Sequence, residues 1–177
     1  MKRRILYCGI SVVIIAGLLI FAGQALASNY VRGSNSNANV VLDSANNWTI
    51  IRSATVTIAA DDNENHACVV TASADMDFAG PSDTENQYLF VLTRNKINPA
   101  TDTGSERRVS LIDNPEVNDP DSKPVSTTRH FTNLRNTNGT GGTGLHTFYL
   151  LGRKVSESDS NAAVLDASLS VICVDVR

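Results

Sequence analysis

The sequence predicts an all-β protein, an antiparallel two-layer β-sandwich. Three observations carry that expectation. Beyond residue 27, apolar residues recur with a period of two in segment after segment, and no stretch of ten or more residues carries a helical stripe. All five prolines fall between positions 81 and 124, outside the predicted strands, where strand pairing tolerates them. The polar residues are dominated by 17 Asn, 17 Ser and 15 Thr against four Lys, which suits a turn-rich β surface.

The 177 residues are 42% hydrophobic and 19% charged, with a formal charge of −3. That composition fits one globular domain and excludes a collagen-like, wholly disordered or strongly basic chain. Lys2, Arg3 and Arg4 precede an apolar run from Ile5 to Gly23, and Ala25-Leu26-Ala27 then sets a small-x-small motif before Ser28. This is the order of a secretory signal peptide over residues 1–27, cut between Ala27 and Ser28. The apolar run is also close to the length that spans a bilayer, so an uncleaved anchor is the alternative, and the chain's only expected membrane contact.

Cleavage would remove three positive charges and Cys8, leaving a domain of formal charge −6 with two cysteines, Cys68 and Cys173. Such a domain gains nothing from nucleic-acid phosphates, so no nucleic-acid partner is expected. An even pair in an oxidising compartment reads as one disulfide, with two free buried thiols as the alternative. Closing a loop of ~100 residues in this way stabilises by up to ~4.7 kcal/mol in the chain-entropy description.

The elements follow in order. Residues 28–46 mix Ser, Asn and small residues without a sustained period and read as a flexible lead-in, with one short edge strand at Val40–Leu42. The sandwich is expected over residues 47–177. Its first strand places Trp48, Ile50, Ala54, Val56 and Ile58 on one face and Thr49, Ser53, Thr55 and Thr57 on the other. Residues 67–78 align Cys68, Val70, Ala72, Ala74, Met76 and Phe78 against Asp75 and Asp77, and their length predicts a bulge near Ala72–Ala74. After a Gly80-Pro81 turn, residues 87–94 are apolar on both parities and predict a central strand. Strands at 107–113 and 126–134 come next, set off by loops at 95–106 and 114–124. A Gly-rich turn at 136–144 leads to a second interior candidate at 146–155, and residues 163–176 close the chain with Leu165, Ala167, Leu169, Val171 and Cys173 on one parity. Both sulfurs thus share faces with apolar neighbours, which places the disulfide inside.

This ending, a Gly-rich turn, HTFYLLGRKV, a short polar turn and AVLDASLSVICV, resembles the last two strands of jelly-roll domains of the C1q and tumour-necrosis-factor type, including bacterial and phage relatives. The resemblance implies a jelly roll that acts by binding, often as a trimer, with no catalytic residues to carry over. The chain departs from the animal families in its 6% aromatic content and in the expected disulfide to its last strand.

Motifs with chemistry are few. Gly139, Gly141 and Gly144 match G-x-G-x-x-G, but a strand follows where a dinucleotide site needs a helix. Asp61, Asn63 and Asn65 begin like an EF-hand loop, yet His66 replaces the required Gly and Ala72 the bidentate Glu. The acidic residues Asp113, Glu116, Asp119 and Asp121 are the candidates for a Ca²⁺ loop, and otherwise no metal or cofactor is expected. His66, His130 and His146 are too scattered for zinc, although His130 and His146 would approach if their flanking strands paired. No G-x-S-x-G elbow marks a hydrolase. Of the aromatics that could stack on a sugar-like ligand, Tyr30, Trp48, Tyr88 and Tyr149, Trp48 and Tyr88 read as core, and Tyr149 is the better surface candidate. Asn47-Trp48-Thr49 and Asn138-Gly139-Thr140 are sequons.

The expected function is a non-catalytic binding or structural module, exported by the general secretory route to the cell surface, periplasm or exterior, with an external ligand or its own copies as partner. A homo-oligomer is expected because the two-sided apolarity of residues 87–94 exceeds what one interior layer needs, and the face of Tyr88, Phe90 and Leu92 would be its contact; cover by the long loops between 95 and 124 is the alternative. The alternatives are a subunit of a coat, fibre or appendage and a secreted hydrolase on a jelly-roll scaffold. An apolar patch on one sheet would favour the former and concentrated acidic pairs the latter.

Overall fold

A computed structural model describes residues 29–36, 39–78, 85–94, 99, 106–111 and 123–176. The expected export segment with Ala25, Ala27 and Ser28, and the acidic candidates Asp113, Glu116, Asp119 and Asp121, lie outside the described residues. Nine strands are present among those described: β1 (Tyr30–Ser36), β2 (Val40–Leu42), β3 (Thr49–Thr57), β4 (Asn65–Phe78), β5 (Asn86–Thr93), β6 (Arg107–Leu111), β7 (Lys123–Leu134), β8 (Leu145–Lys154) and β9 (Ala162–Val176).

All pairing is antiparallel, in two sheets. The first runs β1-β9-β4-β7 with β2 also on β9, and the second runs β3-β8-β5-β6. β1 and β2 lie along one edge of β9, from Tyr30↔Cys173 to Ser36↔Ala167 and from Val40↔Val164 to Leu42↔Ala162, so they form one interrupted strand. Counted that way, the first sheet holds the first, eighth, third and sixth strands and the second holds the second, seventh, fourth and fifth. This is the jelly-roll winding. Past the first strand, every step along the chain changes sheet except β5 to β6.

The inner faces follow the expected alternation. Cys68, Val70, Ala72, Ala74 and Met76 of β4 are buried against Ala54, Val56, Phe148, Leu150, Tyr88, Phe90 and Leu92 of the second sheet. Phe131 meets Phe148 edge to face at 5.0 Å, joining the sheets across the core. On the second sheet, Leu89, Val91, Thr93 and Leu151 are buried on the other parity too, which bears out β5 and β8 as interior strands.

Several expectations are corrected. The lead-in at 28–46 contributes β1 as well as β2. An edge strand needs only one backbone partner, so its register is set by β9 rather than by apolar periodicity. In β3 the register shifts between Ile50 and Arg52, which turns Ile51 inward and leaves Ile50 exposed. The long β4 runs in even register against β9 as far as Asp75. The irregularity lies in β9, where Asp75↔Asp166 is followed by Met76↔Val164, so Ala162 and Val164 are buried instead of Leu165. Pro124 lies within β7, on the sheet edge where a missing N–H is tolerated. Asn133, at φ 58, lies where β7 carries one extra residue against β4. The Phe78 side chain lies outside the described ones.

The face of Tyr88, Phe90 and Leu92 is the core face, fully buried within one chain. It is not an oligomer contact, and the opposite face of β5 is closed as well. The Gly-rich turn is no hairpin, because it carries the chain from β7 in one sheet to β8 in the other. A Cβ on Gly144 would stand 2.1 Å from the Ile58 carbonyl, so this close crossing requires glycine. Gly141 and Gly142, at φ +70 and +73, form a 3₁₀ turn that opens into a strand, in keeping with the structural reading of the G-x-G-x-x-G match.

Candidate functional site

The polar chemistry of the described residues concentrates at one end of the sandwich, beside the disulfide. Cys68 and Cys173 face each other on β4 and β9, and their sulfurs are bonded with Cα atoms 4.0 Å apart at a sequence separation of 105. Strand alternation puts the next inward pair on the same ladder two residues further out: His66 of β4 opposite Asp175 of β9.

His66 is fully buried, with Nε2 at 2.8 Å from Asp175 Oδ1 and 3.3 Å from Asp62 Oδ2. Asp62 comes from the β3–β4 loop, where its N–H donates to the Ala59 carbonyl at 3.0 Å. The Tyr30 hydroxyl donates to Asp62 Oδ2 at 2.9 Å, accepts from the Ala59 N–H at 3.2 Å, and its ring stands edge-on to the imidazole at 5.3 Å. Burial, with Asp62 and Asp175 close by, raises the Tyr30 hydroxyl above the ordinary phenol range and keeps it a donor. A depression of about 320 Å³ lined by Ala59, Asp61, Asp62, Asn63 and Glu64 opens to solvent on the outer side of Asp62.

The outer surface above this end is apolar. Val31, Ile172, Val69 and His130 stand opposite one another across β1, β9, β4 and β7. Val31 and Ile172 are 62% and 51% exposed, and Val69, Val174 and Val176 are exposed beside them. β4 and β9 thus hold the disulfide on one face and, together with β1, a row of bare aliphatic side chains on the other.

The remaining expected site residues are scattered. His130 points outward from β7, whereas His146 is buried in β8 of the other sheet, so the two do not meet. Arg94 donates to His146 Nδ1 at 2.9 Å, which leaves Nε2–H to donate to the Arg135 carbonyl at 2.8 Å. Burial, with the Arg94 guanidinium beside it, holds His146 below the ordinary imidazole range, against the pull of the Arg135 carbonyl. Tyr149 is half-buried on the outer face of the second sheet, opposite Ser53 and Thr93. Trp48 is half-buried with the Arg153 guanidinium 4.8 Å over its ring, which corrects its expected core role, whereas Tyr88 is buried and donates to the Ser160 carbonyl at 2.7 Å. Asp75 faces Asp166 across β4 and β9, in a shallow depression of about 300 Å³ with Ser73 and Ser168.

Asp62 and Asp175 belong to no motif in the sequence, and Tyr30 stands out there only as one of the aromatics open to stacking on a ligand. The four-residue spacing of Asp62 and His66 was the one local signal, but Asp175 and Tyr30 arrive from opposite ends of the chain.

No protein-family model matches the chain, and no curated protein matches it. Among solved structures it is similar to the Macrobrachium rosenbergii nodavirus semi-empty virus-like particle, at 12% identity over 86% of this chain and 85% of that one, with a TM-score of 0.36. It is similar at 13% identity to dimeric latent PorU from Porphyromonas gingivalis, covering 87% of this chain and 14% of that one, with a TM-score of 0.41. The decameric BFDV capsid protein matches at 9% identity over 85% of this chain and all of that one, with a TM-score of 0.32. The jelly-roll assignment rests on strand order and pairing.

Proposed function

We propose that this chain is an exported, disulfide-closed jelly-roll module that acts by contact, with other copies of itself, rather than by catalysis. The observation that carries the reading is the Cys68–Cys173 bond buried between β4 and β9. Such bonds form and persist in oxidising compartments, in agreement with the signal-like residues 1–27. The aliphatic row over the same strands supports assembly, since contiguous exposed apolar area on a sheet marks an interaction surface. The C1q and tumour-necrosis-factor resemblance implies a trimer as the closed form.

A secreted hydrolase has one observation in its favour, the facing carboxylates of Asp75 and Asp166. They lie on an open sheet surface, where water and counter-ions screen them.

Fractionation with N-terminal sequencing and non-reducing peptide mapping tests export. A mature chain beginning at Ser28 with Cys68 linked to Cys173 is expected, and a cytoplasmic chain with two free thiols overturns the proposal. Light scattering of the exported protein at micromolar concentration tests assembly. A trimer that dissociates on Ile172→Lys supports it, whereas a monodisperse monomer replaces self-assembly by a solitary binding module.

A further inference from the structure

We propose that Asp62, His66 and Asp175 form a binding site for a zinc-class divalent cation. Two carboxylates whose side chains are only 8% and 9% exposed converge on one imidazole that is wholly buried. Neither nitrogen of that imidazole makes a hydrogen bond among the described residues: Nδ1 has no partner there, and Nε2, though close to both carboxylates, is not aligned to donate to either.

The spacing is that of a ligand set. The three ligand atoms lie within 4.8 Å of one another, with Nε2 at 2.8 and 3.3 Å from the two oxygens. Zinc bonded at about 2.0–2.2 Å to nitrogen and carboxylate oxygen in a tetrahedron sets neighbouring ligands roughly 3.3–3.5 Å apart. Small movements of Asp175 and Asp62 would therefore admit the ion. A mixed set of one imidazole and two carboxylates suits zinc and its neighbours. Calcium, which takes six to eight oxygens, is poorly served by it.

Three further features fit. Tyr30 donates to Asp62 and acts as a positioning residue, the outer-sphere hydrogen bond that metal-binding carboxylates ordinarily receive. The acidic depression beside Asp62 gives a cation a route from solvent. Three protein ligands leave a fourth position for water or an external donor. Because the ligands come from the β3–β4 loop, β4 and β9, the ion would clamp the chain's last strand to that loop beside the disulfide.

The test is zinc binding to the full exported protein, disulfide intact, after stripping with a chelator. One zinc per chain is expected by competition with a chromophoric chelator, together with a higher unfolding midpoint in zinc. His66→Gln is expected to weaken affinity at least 100-fold, and Tyr30→Phe roughly 10- to 100-fold with the metal-free midpoint little changed. Glu64→Gln, in the depression but outside the ligand set, should bind as wild type. Should His66→Gln fail to fold, Co²⁺ added to the wild type decides: visible absorption bands of a low-symmetry site, abolished by zinc, support the proposal, and the spectrum of aqueous Co²⁺ overturns it. Absence of stoichiometric zinc binding, zinc binding unchanged in folded His66→Gln, or binding of Ca²⁺ in preference to zinc also overturns it.

Discussion

The two sheets solve the same burial problem differently. The first keeps one dry face and one wet face: along β4 and β9 buried residues alternate with exposed Thr, Ser, Asp and Val, and a covalent bond joins the central strands. The second is closed on both faces at its centre, where Phe90, Val91 and Leu92 are all fully buried, and it also holds Tyr88, His146 and Lys154 away from water. A sheet with a free face can present that face to a partner. A sheet covered on both sides can only support. The exposed apolar row and the polar site therefore belong to the first sheet, whereas the second buries Tyr88 and His146, two groups that couple stability to pH.

The sharpest way to break this comparison is one substitution made in both sheets. Val91→Asp should abolish folding, by several kcal/mol, because it buries an unpaired charge. Ile172→Asp on the open face should cost the isolated chain less than ~1 kcal/mol in urea unfolding. Comparable losses would mean that the first sheet is covered too.

Replacing both Cys68 and Cys173 by Ala should cost roughly 2–5 kcal/mol in denaturant unfolding, the range seen when a native bridge is removed. The loss should fall on the first sheet, with amides of β4 and β9 exchanging faster than those of β5 and β8. Uniform acceleration would show the two sheets unfolding as one unit.

Alkaline titration probes the second sheet. Burial, aided by Asp159, pushes the Tyr88 hydroxyl up to about 12. Its folded value lies above the unfolded one, so its contribution is complete below about pH 10 and is lost as pH rises through about 12. The loss should amount to ~2–3 kcal/mol across that window, and Tyr88→Phe should flatten the curve there.

At the acid end the effect is smaller and opposite in sign. His146 is held below 6.5, so its contribution is full above that pH and declines as pH falls through the folded value. His146→Gln should reduce the slope of stability against pH below 6.5, as measured by thermal unfolding in a pH series. Smallest of all, Arg153→Gln should cost about 0.5–1 kcal/mol by removing the cation over Trp48, provided the Ala45 carbonyl that Arg153 also binds finds water.

What was legible in the sequence was what one strand reveals about itself. Alternation marked β3, β4 and β9, two-sided apolarity marked β5 and β8, and facing parity behind a signal-like segment paired Cys68 with Cys173, because these features depend on the residues i, i+2 and i+4 alone. What escaped depended on partners. β1 owes its existence to the open edge of β9, and a bulge in β9 exchanged Leu165 for Val164. The site of Tyr30, Asp62, His66 and Asp175 is assembled by a winding that brings the first strand, a loop and the last strand to one end of the sandwich. Composition and periodicity decided that the chain makes sheets. Only the tertiary structure decided which ends meet, because a jelly roll pairs strands far apart in sequence, and no local pattern records the partner.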